Sequence, residues 1–451
     1  MGEEFCNYDA DDHMAVQVIH YVWSFSFISI WYTRGEKTLL AIVMLLTMIA
    51  GIFVGIPVSF TLIFLALGFG FLSIGENIFD LAYYNLVGTL SNEVFIAIPM
   101  FIFMGYICEK AGLVEKLFYS MKSVVGNLNI VVIVIAVLVS LATGVVGASV
   151  TLLGIMAAPH MMKMGYNPKL TAGVIAGGGS LIMIPPSVPL IVMAPTMNIS
   201  IIDLYAGALV PGLMIALMYV IYCLFHPVPK VETKPDYRSL MIDVIPLTVL
   251  ISAVLGSMLF GLATSTEAGA FGAFGALVLA LLNGKLELKE TLLKTTDTSA
   301  VVMLLAISST IFGAVFTALG GDNVIVDALN SLPIPPWALV GCILVLCHLL
   351  GWPFEWPVVV LVFVPIFLPV LVSSGVDMLW FAVCLGIVIQ TAYLTPPVAL
   401  TSYYIKQVVP EWDLSMIFKA MMPFMWIQVL AVVILFLAPS IATWLPSYLS
   451  N

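Results

Sequence analysis

The stretch PHMMKMGYNPKLTAGVIAGGGSLIMIPPSVPL at residues 159–190 has a counterpart about 210 residues later, PVLVSSGVDMLWFAVCLGIVIQTAYLTPPVAL at residues 369–400. In both copies a glycine follows the first proline by 6 residues, and a double proline follows that glycine by 20 or 21 residues. A double proline cannot continue a helix, because two amide donors are lost and the rings clash with the preceding turn. Each stretch is therefore predicted to be a broken membrane helix, and two matched broken helices are typical of a secondary transporter with a site at mid-membrane.

The composition indicates a polytopic membrane protein. Of the 451 residues, 62% are hydrophobic and 9% are charged, which lies far outside the range of soluble proteins. The formal net charge of −10 predicts no nucleic-acid partner. Six scattered cysteines indicate neither a disulfide framework nor a metal cluster. Residues 1–14 are acidic and lack a basic segment, which argues against a cleavable signal peptide.

The distribution of lysine and arginine predicts the topology, since cytoplasmic loops accumulate them. Loops rich in basic residues alternate along the chain with loops rich in acidic residues, which we place outside. The predicted cytoplasmic clusters lie at 110–122, 163–169, 230–238, 285–294 and 406–419.

Residues 127–162 and 334–370 predict two re-entrant hairpins. Each arm of the first has only 14 to 17 residues, which is about 21 to 25 Å of helix against a hydrocarbon core of ~30 Å. Its tip, residues 143–149, is small and polar, as backbone that lines a cavity at mid-membrane requires. The flanking charges have opposite polarity at the second hairpin, so one hairpin enters from each side, as an inverted repeat requires.

The predicted fold class is an all-α polytopic membrane protein with an inverted-topology repeat, two re-entrant helical hairpins and two broken helices. Each half is expected to read helix, helix, helix, hairpin, broken helix, helix. The first repeat spans 38–226, with its broken helix at about 169–195, and the second spans 241–451, with its broken helix at about 379–404. Residues 227–240 are predicted to form a cytoplasmic linker. Residues 1–37 form an extension whose apolar run is either an additional span or an interfacial helix.

Smaller breaks complete the predicted match between the halves. They are expected at 55–59 and 264–267, before a third helix near 95–109 or 299–318, and the final spans are expected at 205–225 and 421–444. In the second break, Thr264 and Glu267 have the spacing of a capping box.

Four separated motifs resemble the large membrane subunit, the DctM type, of tripartite ATP-independent periplasmic (TRAP) transporters. The likeness covers about residues 38–446 and is closest to the branch labelled for C4-dicarboxylates or for mannitol and chloroaromatic compounds. Gly178 to Met183 departs from the family pattern, where a glutamine is usual. The motifs are TGVVGASVTLLG (143–154), MKMGYNPKLTAGVIAGGGSLIMIPPS (162–187), STEAGAFGAFGAL (265–277) and QTAYLTPPVAL (390–400).

The resemblance implies a secondary transporter of the bacterial inner membrane that imports an organic acid. It further implies Na⁺ as the coupling ion, a periplasmic solute-binding protein (DctP type) that delivers the solute, and a small four-helix membrane subunit (DctQ type) as partner. Proton coupling within the same architecture, and an ion-coupled anion transporter outside the TRAP family, remain alternatives. A membrane-embedded enzyme is disfavoured, because the sequence contains no GxSxG, HExxH or paired intramembrane aspartates.

The residues themselves predict how such a site would hold ions. The chain has two arginines, and its lysines lie in loops or near helix ends, so helix N-termini, hydroxyls and a bound cation must hold the anion. Freed carbonyls at the breaks would hold Na⁺. Each hairpin tip is expected to form one sodium site with the neighbouring break. The candidate sodium ligands are Thr143, Gly144, Val145, Gly178, Gly179 and Ser180 in the first repeat, and Pro353, Glu355, Gln390 and Thr391 in the second. The hydroxyls of Ser149 and Thr395 are expected to contribute to the first and second sodium sites.

The solute is expected between the first tip and the two double prolines. Glu355 invites a separate hypothesis, because an intramembrane carboxylate is costly. It either tunes the cation site, carries a proton or caps the neighbouring helix. The candidate solute-binding residues are Val146, Gly147, Ser149, Pro186, Ser187, Thr395 and Pro397.

Overall fold

The computed structural model describes residues 34–143, 146–229, 236–284, 286–330 and 334–449, and every regular element in these ranges is helical. Among the described helices, six are long and apolar enough to cross a membrane, or seven if one bent pair counts as a single span. This confirms the predicted fold class. The apolar run before Arg34 and the middle of the predicted linker, residues 230–235, lie outside the described residues.

The described part of the first half contains ten helices. They are α1 (Arg34–Phe53), α2 (Val58–Ile74), α3 (Asn77–Leu90), α4 (Glu93–Lys110), α5 (Leu113–Val124), α6 (Leu128–Thr143), α7 (Val146–Lys163), α8 (Pro168–Gly179), α9 (Val188–Thr196) and α10 (Ile201–Leu224). Helices α3 and α4 meet at a bend of 54°.

The residues that the structure describes in the second half also form ten helices. They are α11 (Tyr237–Leu259), α12 (Ser265–Leu282), α13 (Leu288–Ala318), α14 (Gly321–Asn330), α15 (Pro336–Leu350), α16 (Trp356–Ser373), α17 (Met378–Ala392), α18 (Leu400–Val408), α19 (Leu414–Leu437) and α20 (Ser440–Leu449). A π-helical segment, Val359–Phe363, lies inside α16.

Local sequence explains where the important helices begin. The side chain of Asn167 accepts a hydrogen bond from the Lys169 amide at the start of α8, and Asp377 caps α17 in the same way. At the start of α12 the Thr264 amide donates to Glu267 (2.8 Å), and the Glu267 amide donates to the Thr264 hydroxyl (3.2 Å). The predicted capping box is therefore confirmed.

The third helix predicted for each half corresponds to α4 in the first half and α13 in the second, and these two helices run antiparallel. At one end, Lys110 of α4 forms an ion pair with Glu290 in the first turn of α13, with a nitrogen–oxygen distance of 2.8 Å. At the other end, the hydroxyls of Thr89 in α3 and Thr310 in α13 lie 3.2 Å apart. Equivalent helices that run in opposite directions are what an inverted-topology repeat produces.

The hairpins and broken helices form a second group that packs across the repeats. Helices α6 and α7 form the first hairpin and pack against α8 of their own repeat, while α7 also packs against α18 of the other. In the second hairpin, α15 packs against α17 of its own repeat and α16 against α9 of the first. Each hairpin therefore lies between the first half of one broken helix and the second half of the other.

Candidate functional site

The first hairpin meets the first broken helix at two glycines. A side chain on Gly178 would lie 2.8 Å from the Cβ of Ala136 in α6, and one on Gly179 would lie 3.0 Å from the Cα and backbone nitrogen of Val150 in α7. The last turn of α8 is thus pressed against both arms of the hairpin. The predicted approach of break and hairpin is present, and these two glycines permit it by lacking a side chain.

The tip of the first hairpin is shorter than the sequence suggests. Helix α6 ends at Thr143 and α7 begins at Val146, so Gly147 and Ser149 lie in the first turn of a helix and not in an extended tip. Gly144 and Val145 lie outside the described residues. The α carbon of Gly147 faces the second repeat, since a side chain there would lie 2.8 Å from the ring of Tyr404 in α18.

The second hairpin meets the second broken helix in a similar way. The Trp356 amide at the start of α16 donates a hydrogen bond to the hydroxyl of Tyr393 (3.3 Å). A side chain on Gly351 would lie 2.8 Å from the Cβ of Ala392. The Nδ1 atom of His348 lies 3.3 Å from a backbone carbonyl of α17, which matches a packing role for this histidine.

The first parts of the two broken helices, α8 and α17, meet at their C-terminal ends. The amide of Met183, just beyond α8, donates a hydrogen bond of 3.4 Å to Oε1 of Gln390 in α17. Because the two helices arrive from opposite directions, their freed carbonyls and negative dipole ends converge on one region. Gln390, a candidate ligand of the second sodium site, therefore reaches the break of the first repeat.

A buried polar cluster on the first break was not predicted. Nε2 of Gln428 in α19 donates hydrogen bonds to the Ser180 hydroxyl (3.1 Å) and the Tyr219 hydroxyl (2.8 Å). Ser180 donates in turn to the carbonyl of Gly177 (2.8 Å) and Tyr219 to that of Phe424 (3.3 Å). The signal that could have found Gln428 is its position as a lone carboxamide in an apolar span, where a polar side chain is expensive.

Two buried oxygens at the first break keep lone pairs that no hydrogen bond among the described residues uses. Every donor of the cluster is used, whereas Oε1 of Gln428 is buried without a hydrogen-bond partner among the described residues. The hydroxyl of Ser187, at the start of α9, is likewise buried and unpartnered there. Neutral oxygens with unused lone pairs are the ligands that a hard cation prefers, so the residues present suit Na⁺.

The second break presents a row of threonine hydroxyls. Thr391 donates to its own helix at 2.6 Å, Thr395 donates to the carbonyl of Thr391 at 2.9 Å, and Thr401 donates to that of Tyr393 at 2.8 Å. Each hydroxyl oxygen keeps acceptor capacity after donating its hydrogen. The second break therefore also offers oxygens to a cation or to a hydrogen-bond donor.

The two breaks differ in exposure. Residues 181–190, which include Pro186 and Ser187, are all buried, and so are Ser149, Ser180, Gln390 and Thr391. At the second break Thr395 is half-buried and Pro397 is exposed, and Pro353 and Glu355 on the neighbouring hairpin are also exposed. The structure thus divides the predicted site residues into a sealed set, which comprises the first break with Gln390 and Thr391, and an accessible set, which comprises Thr395 and Pro397 of the second break with Pro353 and Glu355 of its hairpin.

Glu355 is one of the exposed residues of the accessible set and lies directly before α16. It occupies the N-cap position of α16, but its side chain accepts no hydrogen bond from the amides of that helix. Tyr393 and Tyr404 lie near Glu355, one on each side of the second break, and the Tyr393 hydroxyl accepts a hydrogen bond from the next amide, that of Trp356. The capping hypothesis is therefore not borne out, because the residue occupies the N-cap position without a side-chain hydrogen bond to the helix.

The comparisons with known proteins agree on one family. The family model of the tripartite ATP-independent periplasmic transporter, DctM component, matches residues 43–441. The sialic acid TRAP transporter large permease SiaM of Vibrio cholerae is 30% identical over 79% of this chain and 87% of its own length. The C4-dicarboxylate TRAP large permease DctM of Pseudomonas aeruginosa is 25% identical over 81% and 89%. The 2,3-diketo-L-gulonate TRAP large permease YiaN of Escherichia coli is 25% identical over 78% and 86%.

A solved structure shares the fold. The YdaH transporter of Alcanivorax borkumensis superposes with a TM-score of 0.58 at 14% identity, covering 89% of this chain and 97% of that one. The curated relatives are bacterial permeases, and the described residues contain six or seven candidate spans, so this is a multi-pass protein of the bacterial inner membrane. The match over nearly the whole length means that the chain belongs to the DctM family of TRAP transporter large permease subunits.

Proposed function

We propose that this chain is the permease through which an organic acid enters the cell, coupled to Na⁺ and delivered by a periplasmic solute-binding protein. A small four-helix membrane subunit of the DctQ type would complete the transporter. The relatives named for sialic acid, C4-dicarboxylate and 2,3-diketo-L-gulonate support an organic acid as solute. Membership of the DctM family leaves no room for the alternative of a transporter outside the TRAP group.

The observation that carries the proposal is the meeting of the two broken helices between two hairpins. The C-terminal ends of α8 and α17 converge there, joined by the hydrogen bond from Met183 to Gln390. Their carbonyls and negative dipole ends favour cations. Four helices, α7, α9, α16 and α18, begin in the same region and bring positive N-terminal ends, which favour a carboxylate. Cation and anion can thus be held without a charged side chain for each.

In this mechanism the chain supplies oxygens and dipoles, and Na⁺ is transported with the solute. Ser149, Ser180 and the carbonyls of the α8 terminus would hold one ion, with Thr143, Gly144 and Val145 at the hairpin tip as further ligands. Thr391, Gln390 and the second tip would hold another. The bound ions would offset the charge of the solute carboxylate beside Thr395 and Pro397. Solute and ion would therefore bind together, which is the basis of coupling.

The accessible break indicates the side from which the solute leaves. Helix α18 follows this break and carries Lys406 in its last turn, at the end expected to face the cytoplasm. The sealed break precedes α9, which packs against α4 and leads to Asp203 on the expected outer side. This arrangement corresponds to a permease with its solute site open toward the cytoplasm.

The test is uptake by proteoliposomes that contain this chain and its small subunit, with the binding protein in excess. The solute is first identified by a thermal-shift screen of that binding protein against organic acids. Uptake should require a Na⁺ gradient at fixed pH gradient and should rise with Na⁺ with a Hill coefficient above 1. Uptake that persists without Na⁺ and follows the pH gradient would contradict Na⁺ coupling and favour proton coupling through Glu355.

A further inference from the structure

A large cavity lies apart from the two breaks. We name it the outer cavity; it lies between α3, α4 and α13 on one side and α9 and α16 on the other, with a volume of about 730 Å³. Cavities of roughly 300–1,000 Å³ are the usual size of small-molecule sites. None of the described residues that line it belongs to the candidate sodium or solute ligands. It lies at the Thr196 end of α9, away from the double proline.

The lining is neutral and combines apolar surface with hydroxyl and carboxamide groups. Among the described residues that line the outer cavity, none carries a charge, whereas hydroxyl and carboxamide groups are frequent. Five of these groups already donate a hydrogen to a carbonyl of their own helix. They are Asn85 (2.8 Å), Thr89 (2.8 Å), Thr196 (2.7 Å), Ser309 (3.1 Å) and Thr310 (2.9 Å).

The chemistry of these groups determines what the cavity can recognise. A hydroxyl that has donated its hydrogen still accepts, and Tyr84, Asn92 and Thr317 in the same lining can donate as well as accept. A neutral wall of this kind suits ligands whose groups also donate and accept, such as the hydroxyls of a polyol. It disfavours a bare carboxylate, because the described residues that line it offer no cationic side chain to compensate a buried charge. The cavity and the breaks thus differ in chemistry, since the breaks supply dipoles and cations for an anion.

The position of the cavity links it to transport. One wall is the antiparallel α4–α13 pair, and the other consists of α9 and α16, which belong to the first broken helix and the second hairpin. It lies near the bend between α3 and α4, beside Glu93, on the side of the acidic loops that we expect outside. A solute that arrives from the periplasm would meet this wall before it reached the breaks.

We infer that the outer cavity is a binding site for the hydroxyl-bearing part of the solute on its way in, so that the imported acid is polyhydroxylated. The inference rests on the proposed function for the direction of transport. The same donor chemistry could come from the ammonium headgroup of phosphatidylethanolamine, and the experiment separates the two sources.

The reporter is a cysteine at Gly313 in a chain whose native cysteines are replaced. Gly313 lines the outer cavity, and a side chain there meets no atom within 4 Å. Gly341→Cys is the matched control, because it is equally uncrowded but lines an apolar groove between α15, α17 and α19. A membrane-impermeant methanethiosulfonate applied from outside should modify Gly313→Cys and spare Gly341→Cys. Equal modification, or none at Gly313→Cys, would overturn the site.

Protection then tests the ligand class. In phosphatidylcholine vesicles, sorbitol should slow the modification of Gly313→Cys several-fold, and succinate at equal concentration should not. Protection by succinate alone, or by neither compound, contradicts a polyol site. Protection that needs only phosphatidylethanolamine, with no added solute, assigns the cavity to a lipid headgroup and overturns the solute assignment. Labelling requires no transport, so the protection result does not depend on whether uptake is driven by Na⁺. Failure of protection would likewise leave Na⁺-driven uptake unaffected.

A pair of variants links protection to the lining. Ser309→Ala combined with Thr310→Val removes two acceptors and should abolish protection by sorbitol. Thr298→Val lies on the same helix but removes a hydroxyl that pairs with Tyr106 (3.0 Å) outside the cavity, so protection should persist. Equal protection in both variants would contradict the assignment of these oxygens.

Discussion

The two breaks carry the same double proline, yet one is sealed and the other is open. Leu181 to Leu190 is buried throughout, whereas Thr395 is half-buried and Pro397 is exposed. The difference lies in what holds each break. The first is held by two glutamines of the second repeat, through Met183 to Gln390 and through Ser180 to Gln428.

The reciprocal contacts are missing from the sequence of the first repeat. Gln390 precedes its double proline by 6 residues, and the residue 6 before Pro185 is Gly179. Gln428 follows the N-cap of its helix, Asp413, by 15 residues, and the residue 15 after the N-cap Ser200 is Ile215. The two repeats therefore share a backbone arrangement but differ in the side chains at these two positions. Among the described residues, the second break has neither of these two glutamine contacts.

The largest effect is expected where the sealed break touches its hairpin. Gly179→Val would place a side chain 2.5 Å from Cγ2 of Val150 and 3.0 Å from its backbone, which cannot move aside. We expect loss of uptake and a lower unfolding temperature of the purified protein, since overpacking of this kind costs about 1–3 kcal/mol or more. Gly341→Val is the control, because its side chain meets no atom within 4 Å. Equal unfolding temperatures for the two variants would disprove the close contact.

The next effect concerns the glutamine that holds the first break. Gln428→Leu leaves the Ser180 and Tyr219 oxygens buried without their donor, a loss of about 1–3 kcal/mol. The unfolding temperature should fall, and the first break should become more reactive to thiol reagents when Ser180→Cys is added. Gln407→Leu, on the exposed side of α18, should change neither property. A Gln428→Leu protein as stable as wild type would show that the cluster does not hold the break.

The smallest effect on stability is expected at the open break. Thr395→Ala removes a half-buried hydroxyl that donates to the Thr391 carbonyl near the end of α17 at 2.9 Å, so the loss should stay below about 1 kcal/mol. If the oxygen contributes to the second ion, the Na⁺ concentration for half-maximal uptake should rise about 5- to 30-fold, for a lost ligand worth ~1–2 kcal/mol. Initial uptake against Na⁺ at constant ionic strength checks this. An unchanged Na⁺ curve removes Thr395 from the site.

The local features of the fold were predictable from the sequence. The double prolines located both breaks, the shortness of the first hairpin's arms identified it as re-entrant, and Thr264 with Glu267 marked the start of α12. Four short helices, α3, α5, α14 and α20, were not predicted, because they are too short to read as spans and lie in mixed polar sequence. The sealed state of the first break was also beyond the sequence, since both breaks carry the same signal.

The site was only partly predictable for a similar reason. Hairpin and break were correctly brought together, because they are neighbours in the chain and share small residues. The hydrogen bond between Gln428 and Ser180 joins residues 248 positions apart, so no local pattern announces it. Tyr219, Tyr393 and Tyr404 were missed because a tyrosine in an apolar span resembles any large packing residue until its hydroxyl is placed.

The most direct test of the account is the reactivity of one cysteine at each break. In a chain whose six native cysteines are replaced, Ser180→Cys and Thr395→Cys are exposed to an impermeant thiol reagent on inside-out vesicles, with Lys122→Cys and Asp322→Cys as markers of the cytoplasmic and periplasmic faces. We predict that Thr395→Cys reacts together with Lys122→Cys, whereas Ser180→Cys and Asp322→Cys do not. Equal reaction at Ser180 and Thr395, or reaction at Ser180 alone, would contradict the sealed and open breaks.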